Sequence, residues 1–346
     1  MKIFYQIAAG VFALTTCTGL IFADELQLTP TKDDQKWLLS DVPPSPADNQ
    51  PSPDRIALGK ALFFDPRLSS DSNLSCSSCH NPMFDWTDGM PTAKGSKSKV
   101  LRRASPTIVN TGYNTLMMWD GRKSSLEDQA MGPMESMDEM AMDLTALFKW
   151  INTEPTYVGM FAKAYHGEAI DSKTVSKAIA AFERTLVSNN SPFDRWLRGD
   201  KNAMTKQQII GFRLFIDPNK GNCAVCHQAP NFTDGGFHNI GLASYSGATP
   251  DMGRYAIKPV PSMKGAFKTP TLRDITLTAP YFHDGSARTL QDVVDHYVHG
   301  GISKVDLSPD IKPLNLSQKE KEDIVAFMQA LTSTPQPVVL PRIPVN

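Results

Sequence analysis

Two Cys-x-x-Cys-His strings constrain this chain more than anything else in it: Cys76-Ser-Ser-Cys79-His80 and Cys223-Ala-Val-Cys226-His227. Two thiols three positions apart can add to the two vinyl groups of one haem, and the adjacent histidine then lies under the iron as an axial ligand. One such string would also suit half of a zinc site. Two of them make a protein that holds two covalent haem c groups, with His80 and His227 on the irons.

The remaining cysteine agrees. Of five cysteines four sit in the motifs, and the fifth, Cys17, lies in an N-terminal segment with a basic start at Lys2 and an apolar run ending in Gly19-Leu-Ile-Phe-Ala23. That segment reads as a secretory leader, residues 1–23, cleaved after Ala23 and directing the chain to the periplasm. A lipoprotein reading through Cys17 is weaker, because Thr16 suits a lipobox poorly and the apolar run continues past the cysteine. Disulfides are the device of small domains without a core, which this chain is too long to need. A zinc site of four thiolates would not require a histidine after both pairs.

Composition narrows the partners. The formal charge is −1, from 35 basic and 36 acidic residues, whereas nucleic-acid binding calls for a basic surface. No apolar stretch after the leader approaches the ~20 residues of a membrane span. Residues 24–54 hold a cluster of prolines, Pro43, Pro44, Pro46, Pro51 and Pro53, and read as an extended lead-in.

The chain repeats itself. Gly59-Lys-Ala-Leu-Phe-Phe-Asp-Pro66 returns as Gly211-Phe-Arg-Leu-Phe-Ile-Asp-Pro218, each copy ahead of its haem motif. Thr87-Asp88-Gly89 and Thr233-Asp234-Gly235 follow the two motifs. Ser105-Pro106-Thr107 matches Thr269-Pro270-Thr271, Trp119-Asp120-Gly121 matches His283-Asp284-Gly285, and Ser125-Leu126-Glu127-Asp128 matches Thr289-Leu290-Gln291-Asp292. Helical patterns dominate between these strings. Val175, Ile179, Phe182 and Leu186 share one helical face. Ser317 with Glu320 makes a capping box, and Thr289 with Asp292 a weaker one. The expected fold is mostly α: two cytochrome c-like haem domains related by internal duplication, at residues 55–168 and 169–335, with a tail at 336–346.

These strings resemble the bacterial di-haem cytochrome c peroxidase and MauG family from about Pro53 to Leu331. The most specific are Leu58-Gly-Lys-Ala-Leu-Phe-Phe-Asp-Pro-Arg-Leu-Ser69, Trp119-Asp-Gly-Arg122, Pro192-Phe-Asp-Arg-Trp-Leu197 and Thr278-Ala-Pro-Tyr-Phe-His-Asp-Gly285. The resemblance implies a peroxide site at the N-terminal haem, a second haem that shares the oxidising equivalents, and a tryptophan between them, which matches Trp119. It implies a distal pocket formed by Gln129, Pro133 and Glu139. Glu139 would take a proton from one peroxide oxygen and return it to the other; Gln129 would orient the peroxide and Pro133 keep the pocket narrow. On spacing alone, Glu139 reads as a solvated loop charge.

Two departures from the family pattern matter. Its peroxidases often carry a histidine on the loop after the first motif that caps the resting iron; here no histidine occurs from Asn81 to Tyr165. The first haem is therefore expected to be open without prior reduction, as in the MauG branch. The methionine that usually binds the second iron is replaced by Ala279, which leaves Tyr281 as the nearest ligand and His283 as the runner-up. A phenolate stabilises the more oxidised iron, whereas methionine raises the potential. The family's calcium ion, held between the domains partly by an asparagine, falls at Ala104, leaving backbone carbonyls only. The partners implied are hydrogen peroxide and either a small periplasmic redox protein or a protein substrate oxidised at Trp or Tyr. A plain di-haem electron carrier is the non-enzymatic alternative.

Overall fold

A computed structural model describes residues 28–343; the expected leader, with Cys17, lies outside them. Among the described residues the regular structure is ten α-helices and one two-stranded ribbon. No helix among them is long and apolar enough to cross a membrane.

The first core is built by α1 (Pro53–Phe64), α2 (Cys76–Cys79), α3 (Leu126–Glu135), α4 (Leu144–Ile151), α5 (Pro155–Ala164) and α6 (Ser172–Glu183). Helix α1 starts where Ser52 accepts the Arg55 N–H and Pro53 takes the first helical position, both good start signals. It lies on α6 at Gly59, where a Cβ would stand 1.8 Å from the Ala178 carbonyl oxygen; only glycine allows that approach. Beside this contact Phe63 meets Phe182 edge-on, ring centres 5.3 Å apart, and Trp86 joins them at 5.8 Å from Phe63. Val175, Ile179 and Phe182 are buried here as their spacing implies, whereas Leu186 lies past the end of α6 and is only partly buried. The first core thus extends past the expected join at 168/169. The apolar face of α6 finds its partner in α1, which lies earlier in the chain.

The second core repeats the scheme with α7 (Pro192–Leu197), α8 (Lys206–Ile216), α9 (Leu290–Val298) and α10 (Gln318–Gln329). Helix α8 lies on α10 at Gly211, where a Cβ would stand 1.8 Å from the Asp323 carbonyl oxygen. Phe193, Phe212, Phe215, Phe232 and Phe327 fill the centre. Burial of each such side chain stabilises by about 1.5–3 kcal/mol. Helices α9 and α10 begin at the Thr289/Asp292 and Ser317/Glu320 capping boxes read from the sequence. The ribbon pairs β1 (Phe237–His238) with β2 (Phe267–Lys268), antiparallel.

The proline-rich lead-in is more than an extended strand of chain. It makes short 3-10 turns at Asp33–Trp37 and Ala47–Asn49. Trp37, 3% exposed, sits in the second core with its ring centre 4.6 Å from that of Phe232, because an indole has a large apolar area to hide. At the other end of the chain, Val338 packs against the first core.

Local geometry recurs between the halves. Thr107 Oγ1 donates to the Asp85 carbonyl and Thr271 Oγ1 to the Asn231 carbonyl, each at 2.7 Å. The Asn110 N–H donates to Leu186 O and the Asp274 N–H to Leu331 O. Two residues beyond each of those acceptors, Ser188 and Ser333 touch each other through their hydroxyls at 2.8 Å.

Candidate functional site

A single cavity of about 1000 Å³ runs between the halves and is lined by both motifs: Cys76, Cys79 and His80 on one side, Cys223, Cys226 and His227 on the other. The four thiols are unbonded to one another. Burial pushes the Cys79 thiol up to about 11 and the Cys223 thiol up to about 12, so both are neutral. Among the described residues the four do not converge on one point. The one close group of metal-ligating side chains is Cys226, Asp234 and His238. It is not a separate metal site if Cys226 is the thioether of its motif. His238 is held instead by Asp234 at 2.8 Å, and that hydrogen bond first, then Cys226, raises it to about 10.

Both proximal histidines suit an iron. His80 Nδ1 lies 3.1 Å from the Trp86 carbonyl and His227 Nδ1 lies 2.8 Å from the Phe232 carbonyl. A carbonyl only accepts, so Nδ1 carries the proton and Nε2 keeps its lone pair for a metal. Burial lowers the proton affinity of both rings, which favours the neutral, ligating form. Two vinyl-reactive thiol pairs, two oriented imidazoles and an apolar cavity between them fit two covalent haems.

The residues expected in the distal pocket come together. Gln129 and Pro133 on α3, and Glu139 four residues past its end, all line the cavity. The same three also line a smaller neighbouring cavity of about 220 Å³ with Met118, Arg122 and Ser136. Gln129 Nε2 faces Met118 Sδ at 3.8 Å. Glu139 is half-buried, and its carbonyl accepts the Ser96 N–H at 2.7 Å. That bond pins the loop of residues 93–103, whose base is closed by Leu101 N–H to Ala93 O. Arg103 anchors the loop further, to Asp120 at 2.7 Å and Asp251 at 2.8 Å. The loop lays Lys94, Leu101 and Arg102 along the cavity, and it contains neither histidine nor methionine.

Trp119 stands where the halves meet. Its Nε1–H donates to Ala104 O at 2.9 Å, its carbonyl accepts the Lys268 N–H, and its ring centre lies 6.3 Å from that of His283. His283 in turn stacks on Phe267 at 3.5 Å. Burial brings His283 down to about 4, so it is a neutral ring stacked on Phe267 and met edge-on by Trp119. Tyr281 is 8% exposed and lines the cavity; its hydroxyl has no hydrogen-bond partner among the described residues. Met117 holds the equivalent place in the first half: each forms an isolated bridge with the residue six positions on, Met117 with Lys123 and Tyr281 with Ala287. At the position of the family's calcium ligand Ala104 has no side-chain oxygen, and its carbonyl accepts the Trp119 Nε1–H.

Tyr281→Phe should change the low-spin signals of the second haem in the electron paramagnetic resonance spectrum and leave the high-spin signals alone. If His283→Ala alters the low-spin signals while Tyr281→Phe does not, the ligand is His283.

Two cavity residues escaped the sequence reading. Lys268 lines the cavity with its Nζ on the Thr269 carbonyl at 3.2 Å, and burial lowers it to about 8. Glu183, at the end of α6, lies four positions after Ile179 and so on the same helical face. That spacing was the available signal.

The di-haem cytochrome c peroxidase family model matches residues 53–202. The methylamine utilization protein MauG of Methylorubrum extorquens is 40% identical, covering 98% of this chain and 96% of its own. The cytochrome c551 peroxidase of Nitrosomonas europaea is 35% identical, over 88% of this chain and 87% of its own. Among solved structures, a MauG-like protein associated with microbial copper homeostasis superposes with a TM-score of 0.79 at 31% identity, covering 88% of this chain and 96% of that one.

Proposed function

Since this chain belongs to the di-haem cytochrome c peroxidase family, and is thereby an oxidoreductase with two covalently bound c-type haems, we propose that it uses hydrogen peroxide at an open first haem site. When bound through Cys76, Cys79 and His80, the haem supplies an iron that takes peroxide and accepts the oxidising equivalents. The chain's own residues do the rest. The Glu139 carboxylate takes the proton from one peroxide oxygen and delivers it to the other, which leaves as water. The Gln129 amide orients the peroxide by hydrogen bonding, and Pro133 keeps the pocket narrow. Trp119 passes oxidising equivalents to the second site, where His227 and Tyr281 would hold the iron. The observation that carries this reading is one cavity lined by His80, Gln129, Pro133 and Glu139, flanked by a loop that is anchored and carries no histidine or methionine.

Electrons then come from a small redox protein or, in the MauG manner, from Trp or Tyr side chains of a protein substrate. Tyr281 on the cavity wall, with Ala279 where methionine is usual, favours the second: an anionic oxygen ligand suits a site that stores oxidising equivalents, rather than one that admits electrons at high potential. The reading carries with it two duplicated cytochrome c-like domains, supported by the recurring contacts of the halves, and export to the periplasm by residues 1–23.

Oxidised protein mixed with hydrogen peroxide, with no reductant present, should change its haem absorbance on the stopped-flow timescale. A response that appears only after one-electron reduction sinks the open-site reading. In Trp119→Phe the first haem should still react, while oxidation of the second by the same equivalent of peroxide is slowed or lost. If both haems respond at the wild-type rate, Trp119 is only packing.

A further inference from the structure

The carboxyl of Glu183 has no use in the chemistry above, yet it is one of the most deeply placed charges in the molecule. It is 5% exposed, it lines the cavity beside Cys76 and Ile179, and its Oε2 is buried with no hydrogen-bond partner. Its neighbour Arg184 gives it no hydrogen bond, although the nearby guanidinium charge lowers its proton affinity. The Arg184 guanidinium turns away, with Nη1 and Nη2 on the two oxygens of Glu127 at 2.6 and 2.9 Å and Nε on the Pro44 carbonyl. Glu127 is satisfied as well, by Arg184 and by Asn49 Nδ2 at 2.7 Å.

No described side chain donates to that oxygen. Helix α1 lays Leu58, Gly59 and Phe63 on α6, and from α3 the charge of Glu127 raises the proton affinity of Glu183. Lys177, on α6 itself, is paired with Asp48 and Glu168. Cys76 carries no charge once it is a thioether. A lone buried carboxylate is costly and keeps its proton instead. Here burial is the first cause, and it lifts Glu183 to about 8.

We propose that Glu183 is the redox-linked proton site of the first haem: its carboxylate takes one proton from solvent when that haem gains one electron, and returns it when the electron leaves. The inference rests on a haem being held at Cys76 and Cys79. Each electron that arrives, from the donor protein or from a reductant, adds one negative charge to the pocket. A second negative charge on Glu183, with no cation hydrogen-bonded to it, is then less favourable, so its proton affinity rises. One proton taken up for each electron restores the charge of the pocket. The sign follows. At low pH Glu183 is protonated in both redox states and the midpoint potential is flat. Through the neutral to mildly alkaline range, reduction takes up a proton, and the midpoint of the first haem falls as pH rises. Above that range Glu183 is ionised in both states and the curve flattens again.

The test is a spectroelectrochemical titration of the two-haem protein across this pH range, together with redox-difference infrared spectra in the carboxylic-acid region. Wild type should show the falling midpoint and a protonated-carboxyl band that appears on reduction of the first haem. Glu183→Gln, which keeps the size and removes the titration, should show a flat midpoint and no such band. A slope that survives in Glu183→Gln belongs to the haem's own propionates and overturns the proposal. Should that variant fail to load haem, the wild type decides alone, since a flat midpoint or the absence of the band overturns it equally. Loss of peroxide reactivity in the wild type would count against the open-site reading without touching this one.

Discussion

Glu139→Gln should slow the reaction of the oxidised protein with hydrogen peroxide by about 10²–10⁴-fold, the range general acid–base groups usually contribute. Glutamine keeps the volume of the side chain and removes its ability to hold a proton. The resting spectra of both haems should be unchanged, because Glu139 makes no hydrogen bond to either motif and its backbone bonds to Ser136 and Ser96 do not involve the carboxyl. Stopped-flow absorbance after mixing with peroxide measures the rate. An unchanged rate would return Glu139 to the solvated loop charge that its spacing alone suggests. Its place on the walls of both the large and the small cavity is the physical ground for expecting otherwise.

Arg273→Met should cost about 3–5 kcal/mol of stability, the usual penalty for leaving one member of a buried ion pair alone. The side chains of Arg273 and Asp194 are both wholly buried. Arg273 Nη1 bridges both Asp194 oxygens at 2.9 Å, and Nη2 donates to the carbonyls of Trp37 and Pro230. Methionine fills the space but strands the Asp194 carboxylate, which then keeps only the Ser191 N–H and hydroxyl. It also leaves two buried carbonyls without a donor. Urea unfolding followed by circular dichroism reads the loss. A change below about 1 kcal/mol would mean that water or a shifted side chain replaces the guanidinium, and that the pair is not what ties the lead-in to the second core.

What could be read from the sequence was local. The caps at Thr289 and Ser317, and the buried face of α6, depend on side chains three or four positions apart, and the structure has them where the spacing puts them. The motif residues and the distal trio could be placed around one haem because fixed strings carry them. What stayed hidden was long-range. Nothing near residues 172–183 says that their partner is α1, so the first core ended too early in the sequence reading. Nothing near Trp37 says that it belongs with Phe232. Glu183 shares a helical face with Ile179, but its want of a partner depends on Arg184 choosing Glu127, on a different helix. The neutral His283 ring, stacked on Phe267 with Trp119 edge-on to it, likewise needs three segments to be folded at once.

The docking of the lead-in on the second core has a temporal consequence. The bond from Arg273 to the Trp37 carbonyl joins residues 236 positions apart, and the one from Trp196 to Leu28 O spans 168. A chain that emerges N-terminus first therefore carries its lead-in as an unplaced thread until almost all the rest has been delivered. Contacts of such separation close late, since the loop entropy must be met before they reward it. The lead-in is thus among the last segments to settle, and a ribosome or export channel that stalls before Arg273 releases a molecule whose first indole, Trp37, is still in water.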